Sequence, residues 1–238
     1  MTRLLASVTD IHEAALAMTG GADIIDLKEP SRGVLGAVSH NVQRKVVQWI
    51  NGRRPVSATV GDLPMIPETI VTSIRHTASS GVDLVKIGMR DLERHPACLD
   101  ALAEASGHGI RVVAVLFAED QPALPLLGGL RDAGCHGVML DTADKGSGRL
   151  VRHMDMSSLG AFVGSARRLG LLTGLAGSLQ PGDIGELRKL GPDYLGFRGA
   201  LCEEGARTGR LSASALSRVR MLLNSPEDDY VDRSLMAN

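Results

Sequence analysis

Eight short apolar runs alternate strictly with eight amphipathic segments along the 238-residue chain, and this alternation is what most limits the possible folds. The runs are RLLASV (3–8), DIIDLK (23–28), PVSATVG (55–61), LVKIGM (84–89), RVVAVLFA (111–118), GVMLDT (137–142), LLTGLAG (171–177) and YLGFRG (194–199). Most are continuously apolar, as strands covered on both faces must be. Strands alternating with helices form a parallel sheet. Eight units in this length match a single-domain (β/α)8 TIM barrel. The rival is a doubly wound open sheet, which places its phosphate loop after the first strand. Here SVTDIHEA follows that strand without a glycine, and the glycine-rich turns come late, which favours the barrel.

The intervening segments carry helix signals. DIHEAALAMTGG (10–21) opens on Asp10 as N-cap and ends in glycine, and NVQRKVVQWING (41–52) reads the same way from Asn41. PETIVTSIRHTASSG (67–81) opens on Pro67, which suits a first helical turn. Further helices are expected at 96–109, 121–134, 157–170, 180–191 and 212–224, the one at 121–134 weakened by Pro125 and the Gly128–Gly129 pair. Residues 1–224 form the barrel on this reading, and 225–238 a polar tail of low order.

Bulk properties exclude several functions. A net charge of −1 gives no general attraction to nucleic acid or membrane, and 3% aromatic residues leave few stacking platforms for bases. Cys98, Cys135 and Cys202 are far apart and make no metal-type spacing, so free thiols in a reducing compartment are expected. No run approaches the ~18 apolar residues of a membrane span, and the N-terminus turns polar too early for a signal peptide. Cytoplasmic location is the expectation. Self-association through helix faces is also expected, with VVQWI (46–50) a mild apolar candidate.

In a barrel the chemistry lies at the C-terminal strand ends. Asp26 and Lys28 stand there on strand 2, Lys86 on strand 4, Glu119 and Asp120 after strand 5, Asp141 on strand 6 with Lys145 just beyond, and Arg198 on strand 8. Residues i and i+2 of a strand share a face. Asp26 and Lys28 therefore point one way and Leu27 the other, and Lys86 with Gly88 opposes Val85 and Ile87. If the apolar partners meet the helices, the charges enter the barrel mouth. One such lysine is ordinarily a surface residue with a buried stem; three together argue for function. Asp26 and Asp141 are proton-transfer groups or, alternatively, ion-pair partners of the lysines. Glu119 and Asp120 are as readily helix caps as functional groups. The seven histidines fall mostly on helices or turns.

A desolvated lysine among other cations can act as a neutral amine and form an iminium with a carbonyl, while carboxylates move protons and the remaining lysines hold phosphate. The turns GLAGSL (174–179) and GFRGAL (196–201) follow strands 7 and 8, where barrels often cradle phosphate on backbone N–H groups. Gly177, Ser178, Gly199 and Ala200 are the expected cradle, with Arg198 a further candidate; parity leaves open whether Arg198 or Phe197 faces the ligand.

The stretches DLKEPSRGVLGAV (26–38), VKIGM (85–89), LDTADK (140–145), GLAGSL and GFRGALC resemble the (5-formylfuran-3-yl)methyl phosphate synthases of methanofuran and methylofuran biosynthesis, across essentially the whole chain. The resemblance implies a (β/α)8 barrel and a lyase that condenses two glyceraldehyde 3-phosphate molecules with loss of phosphate and water, needing no external cofactor. It implies Lys28 as the Schiff-base lysine, Asp26 as its neighbouring acid, and Lys86, Asp141 and Lys145 as the other catalytic positions. Two other functions use the same features. A class I aldolase or transaldolase-like enzyme would share the lysine and the cradle. A non-catalytic phosphometabolite-binding barrel would need the cradle alone.

Overall fold

The structure, a computed structural model, describes residues 1–144, 146 and 148–225. Eight strands close into one barrel in sequence order: β1 Arg3–Val8, β2 Ile24–Leu27, β3 Val56–Thr59, β4 Leu84–Gly88, β5 Val112–Phe117, β6 Gly137–Asp141, β7 Leu172–Leu175 and β8 Tyr194–Phe197. Every neighbouring pair is parallel, including the closing pair β1–β8. The barrel expected from the alternation is the barrel observed.

The helices are α1 Ile11–Thr19, α2 His40–Ile50, α3 Pro67–Ala78, α4 Ala97–Gly107, α5 Leu126–Asp132, α6 Leu150–His153, α7 Met156–Arg168, α8 Ile184–Lys189 and α9 Ala213–Asn224. Asp10 caps α1 as expected, its carboxylate accepting from the amides of His12 and Glu13 at 2.8 and 2.9 Å. Helix α2 starts earlier than read: Ser39, not Asn41, is its N-cap and accepts from the Val42 amide at 3.3 Å. Helix α5 covers only the second half of its expected span, because Pro125 occupies its N-cap position and Pro122 precedes it. The short α6 lies in a stretch with no clear period in the sequence. Past Ser225 the polar tail lies outside the described residues.

Strand parity divides the core in two. Ile25, Leu27, Val85 and Ile87 belong to the shell between sheet and helices. Burying such a side chain contributes about 1.5–3 kcal/mol, so this larger shell carries most of the stability. A smaller inner cluster, including Leu5, Ile24, Leu84, Val113, Met139 and Tyr194, fills the barrel itself. Toward the C-terminal strand ends the inward positions turn polar: Ser7, Asp26, Lys28, Ser57, Thr59, Lys86 and Asp141 are all buried. The apolar floor thus supports a polar storey directly beneath the mouth. Of the apolar stretch 46–50, Val46 and Ile50 are buried in the shell, and the Trp49 ring lies under the Arg53 guanidinium at 4.7 Å. No helix among the described residues is long and apolar enough to cross a membrane.

Candidate active site

Two buried ion pairs occupy the polar storey. Lys86 Nζ lies 2.9 Å from Asp26 Oδ2, and Lys28 Nζ lies 3.2 Å from Asp141 Oδ2. Asp26 has no exposed surface and also accepts from the hydroxyls of Ser7 at 3.0 Å and Ser57 at 2.6 Å. These donors lock it against the barrel wall behind Lys86. Asp141 accepts the Thr142 amide on Oδ1 at 2.8 Å and keeps Oδ2 toward Lys28.

The expected neighbour of Lys28 is therefore displaced. Asp26 and Lys28 share an inward face, but Asp26 serves Lys86 and the carboxylate at Lys28 is Asp141. Barrel register decides this. Asp26 stands opposite Ser57 and Ser57 opposite Leu84, so Lys86, two residues further along β4, reaches back across β3 to Asp26. Lys28 lies one pleat higher and meets Asp141 across the mouth.

Lys28, Lys86 and Asp141 line a cavity of about 250 Å³, which Gly177, Ser178, Gly199 and Ala200 close on the β7–β8 side. Gly177 has φ +106° and Ser178 φ +51°, and a Cβ on Gly177 would meet Thr142 Cγ2 at 2.8 Å. Glycine is needed there on both counts. The amides of these four residues donate to no protein acceptor among the described residues. Four uncommitted N–H groups around one cavity form a ready anion cradle.

Arg198 borders the cavity but does not fit the phosphate-binding role expected of it. Its five N–H donors are all used: Nε on Arg207 O, Nη1 on Ser7 O and Glu13, and Nη2 on Glu13 and Gly209 O. It instead ties the β8 loop to β1 and α1. Phe197 packs into the outer shell. Arg207, which the sequence reading passed over because its loop has no period, also lines the cavity. It spends one hydrogen bond, 2.9 Å, on Gly33 O, leaving a cation beside the cradle.

Lys145 lies outside the described residues. Just before it, Ala143 and Asp144 are anchored by Glu119, whose carboxylate accepts from the Ala143 amide at 2.9 and 3.0 Å and from the Asp144 amide at 3.1 Å. His153 Nε2 stands 3.9 Å from Glu119. Burial pushes the Glu119 carboxyl up, but the loop amides and His153 outweigh it and hold the group below its usual range. Asp120 faces Arg90 at 3.6 Å. No group of three or more potential metal ligands occurs among the described residues.

Known proteins include relatives of this chain. Residues 4–220 match the family model described as 4-HFC-P synthase. A Methylorubrum extorquens protein provisionally named (5-formylfuran-3-yl)methyl phosphate synthase is 42% identical over 216 residues, covering 91% of this chain and 89% of that protein. The (5-formylfuran-3-yl)methyl phosphate synthase of Methanopyrus kandleri is 37% identical over 229 residues, covering 91% and 96%. Among solved structures, phosphoribosyl anthranilate isomerase from Thermococcus kodakaraensis superposes with a TM-score of 0.65 at 16% identity, covering 95% of this chain and 100% of that one. The 3-hexulose-6-phosphate synthase of Salmonella typhimurium gives 0.63 at 19%, covering 93% and 100%. These structures share the fold. With residues 4–220 matched and relatives above one-third identity along nearly their full length, the chain belongs to the 4-HFC-P synthase family.

Proposed function

We propose that this chain condenses two molecules of glyceraldehyde 3-phosphate into (5-formylfuran-3-yl)methyl phosphate through an iminium on Lys28. The observation that carries the reading is the Lys28–Asp141 pair, set in a cavity also lined by Gly177, Ser178, Gly199 and Ala200, whose amides bond no acceptor among the described residues. An amine beside a proton acceptor, with an anion site in the same cavity, is what covalent carbonyl chemistry on a triose phosphate needs.

The steps balance without an oxidant or reductant. Lys28 Nζ adds to the aldehyde of the first triose and water leaves, giving the iminium. Asp141 takes the C2 proton, and the resulting electron pair expels phosphate from C3. The elimination leaves C2 and C3 as an enol; C3 of that enol bonds to C2 of the second triose, which has passed to its ketone form by proton transfer from its C2 to its C1 through an enediol. The C1 hydroxyl of that second triose closes onto C2 of the first. Two dehydrations form the furan, and water hydrolyses the iminium to release the aldehyde and Lys28. The net products are the furan aldehyde phosphate, one phosphate and two waters. Lys86, backed by Asp26, supplies a fixed positive charge to the reacting oxygens, and the amides of Gly177, Ser178, Gly199 and Ala200 with Arg207 hold the first phosphate.

Borohydride added with glyceraldehyde 3-phosphate should trap an adduct that mass spectrometry maps to Lys28. Lys28→Ala should lose the adduct and cut furan formation by at least about 10³-fold, as loss of a covalent nucleophile does. An adduct on Lys86 or Lys145 would overturn the assignment. An acyclic product without near-ultraviolet furan absorbance would point to aldolase chemistry instead.

A further inference from the structure

Resting on that two-triose reading, we infer that a second cavity at the barrel mouth receives the second triose phosphate, with Arg90 binding its phosphate group. This cavity, about 360 Å³, lies over the β3–β5 side and shares no lining residue with the first. The same chain segments nevertheless run through both. Beyond β2, Lys28 borders the first cavity and Leu35 the second; on β4 it is Lys86 and then Gly88; on β6, Asp141 and then Ala143. The two cavities thus flank one set of reactive strand ends, as two condensing substrates require.

Arg90 is the cation among the residues that line this cavity, and it is ion-paired with Asp120. Arg198 has every N–H bonded and Arg207 has one bonded, whereas Arg90 donates no hydrogen bond among the described residues. Its guanidinium lies over the Phe117 ring, 4.5 Å from the centroid, and its Nε stands 3.6 Å from Asp120, beyond hydrogen-bond distance. The stacking fixes the plane of the guanidinium while leaving its donors for an anion. Gly61, Asp62 and Leu63 also line this cavity, and their amides bond no acceptor among the described residues, repeating the pattern of the first cradle. The Asp62 carboxylate is itself engaged, accepting the amides of Val34 at 2.8 Å and Leu35 at 3.0 Å. It thereby fixes the loop that forms the cavity wall.

Leu35 and Phe117 form part of the apolar lining of this cavity. Both pack over Gly88, where a Cβ would lie 2.8 Å from Leu35 Cδ1 and 3.1 Å from Phe117 Cζ. Apolar walls on the side of the condensing carbons keep out water, which favours the dehydrations that close the furan.

The test uses sn-glycerol 3-phosphate, which has the phosphate but no carbonyl, so its binding is independent of Lys28 chemistry. Calorimetric titration of the full chain should give two sites per chain. Arg90→Met should remove one and leave the other, with at least about a 10-fold loss of affinity at the affected site, and Lys28→Ala should keep both. Arg90→Met should also leave borohydride trapping on Lys28 intact while raising the glyceraldehyde 3-phosphate concentration needed for furan formation. A single site in the unmodified protein, or two unchanged sites in Arg90→Met, would overturn the inference. Failure to trap any Lys28 adduct in the unmodified protein would instead count against the iminium reading, whatever the titration gives.

Discussion

Asp26→Asn is the substitution whose consequence the geometry determines most fully. The carboxylate is wholly buried and accepts from Lys86, Ser7 and Ser57 at 2.9, 3.0 and 2.6 Å. The amide of an asparagine can still accept from Ser57 through its oxygen. Its NH₂ group then faces Ser7 and Lys86. The Ser7 hydroxyl can rotate to accept, but the Lys86 ammonium is donor-only. Lys86, 2% exposed, is left as a buried charge without its counter-ion. Breaking one side of such a pair costs about 3–5 kcal/mol. In a chain of this size 1 kcal/mol moves the melting temperature by about 2–4 °C, so a fall of roughly 6–20 °C is expected by circular dichroism. Adding Lys86→Met removes the stranded charge and should restore much of the loss, because replacing a buried pair with apolar groups is often neutral. Since Asp26 stands behind Lys86 and not beside Lys28, Asp26→Asn should still form the borohydride-trapped adduct. A melting temperature within about 3 °C of the unmodified protein would refute the reasoning, as would a double variant no more stable than Asp26→Asn.

Two further outcomes follow from the site. Glu119 has a folded-state pKa below its ordinary value of 4.5, so its loop anchor stabilises the fold above that value and is lost as pH falls through the depressed one; the melting-temperature gap between the unmodified protein and Glu119→Gln should be present at pH 7 and shrink on acidification, and a gap independent of pH would refute the sign. Arg207→Ala should weaken inorganic phosphate binding by about 10-fold or more, the worth of a charge-assisted bond, and reduce trapping with glyceraldehyde 3-phosphate but not with glyceraldehyde; equal loss with both aldehydes would show that Arg207 only shapes the loop.

Much of the site was legible because a strand's period is two. The placement of Asp26, Lys28 and Lys86 on one inward face follows from the apolar character of Leu27, Val85 and Ile87, which had to meet the helices. The glycine turns after strands 7 and 8 were legible for a similar local reason: Gly177 takes a backbone conformation that other residues adopt with strain. Helix limits were less so, since Ser39 and Asn41 are both good N-caps and only the Val42 amide distinguishes them. Arg198 was misjudged because a guanidinium at a strand end says nothing of the Glu13 carboxylate and the carbonyls that consume it.

The sequence by itself determined the barrel, through eight strand–helix units of the right size, and which side chains face inward, through alternation along each strand. Tertiary structure alone decided which of those side chains meet. Lys86 finds Asp26 and Lys28 finds Asp141 because the relative register of strands distant in sequence places them so. Alternation within a strand carries no record of its register against others. The two cavities, and the contrast between Arg198 with every N–H bonded and Arg90 with no hydrogen bond among the described residues, belong to the same class, because they depend on how loops from different units converge over the mouth.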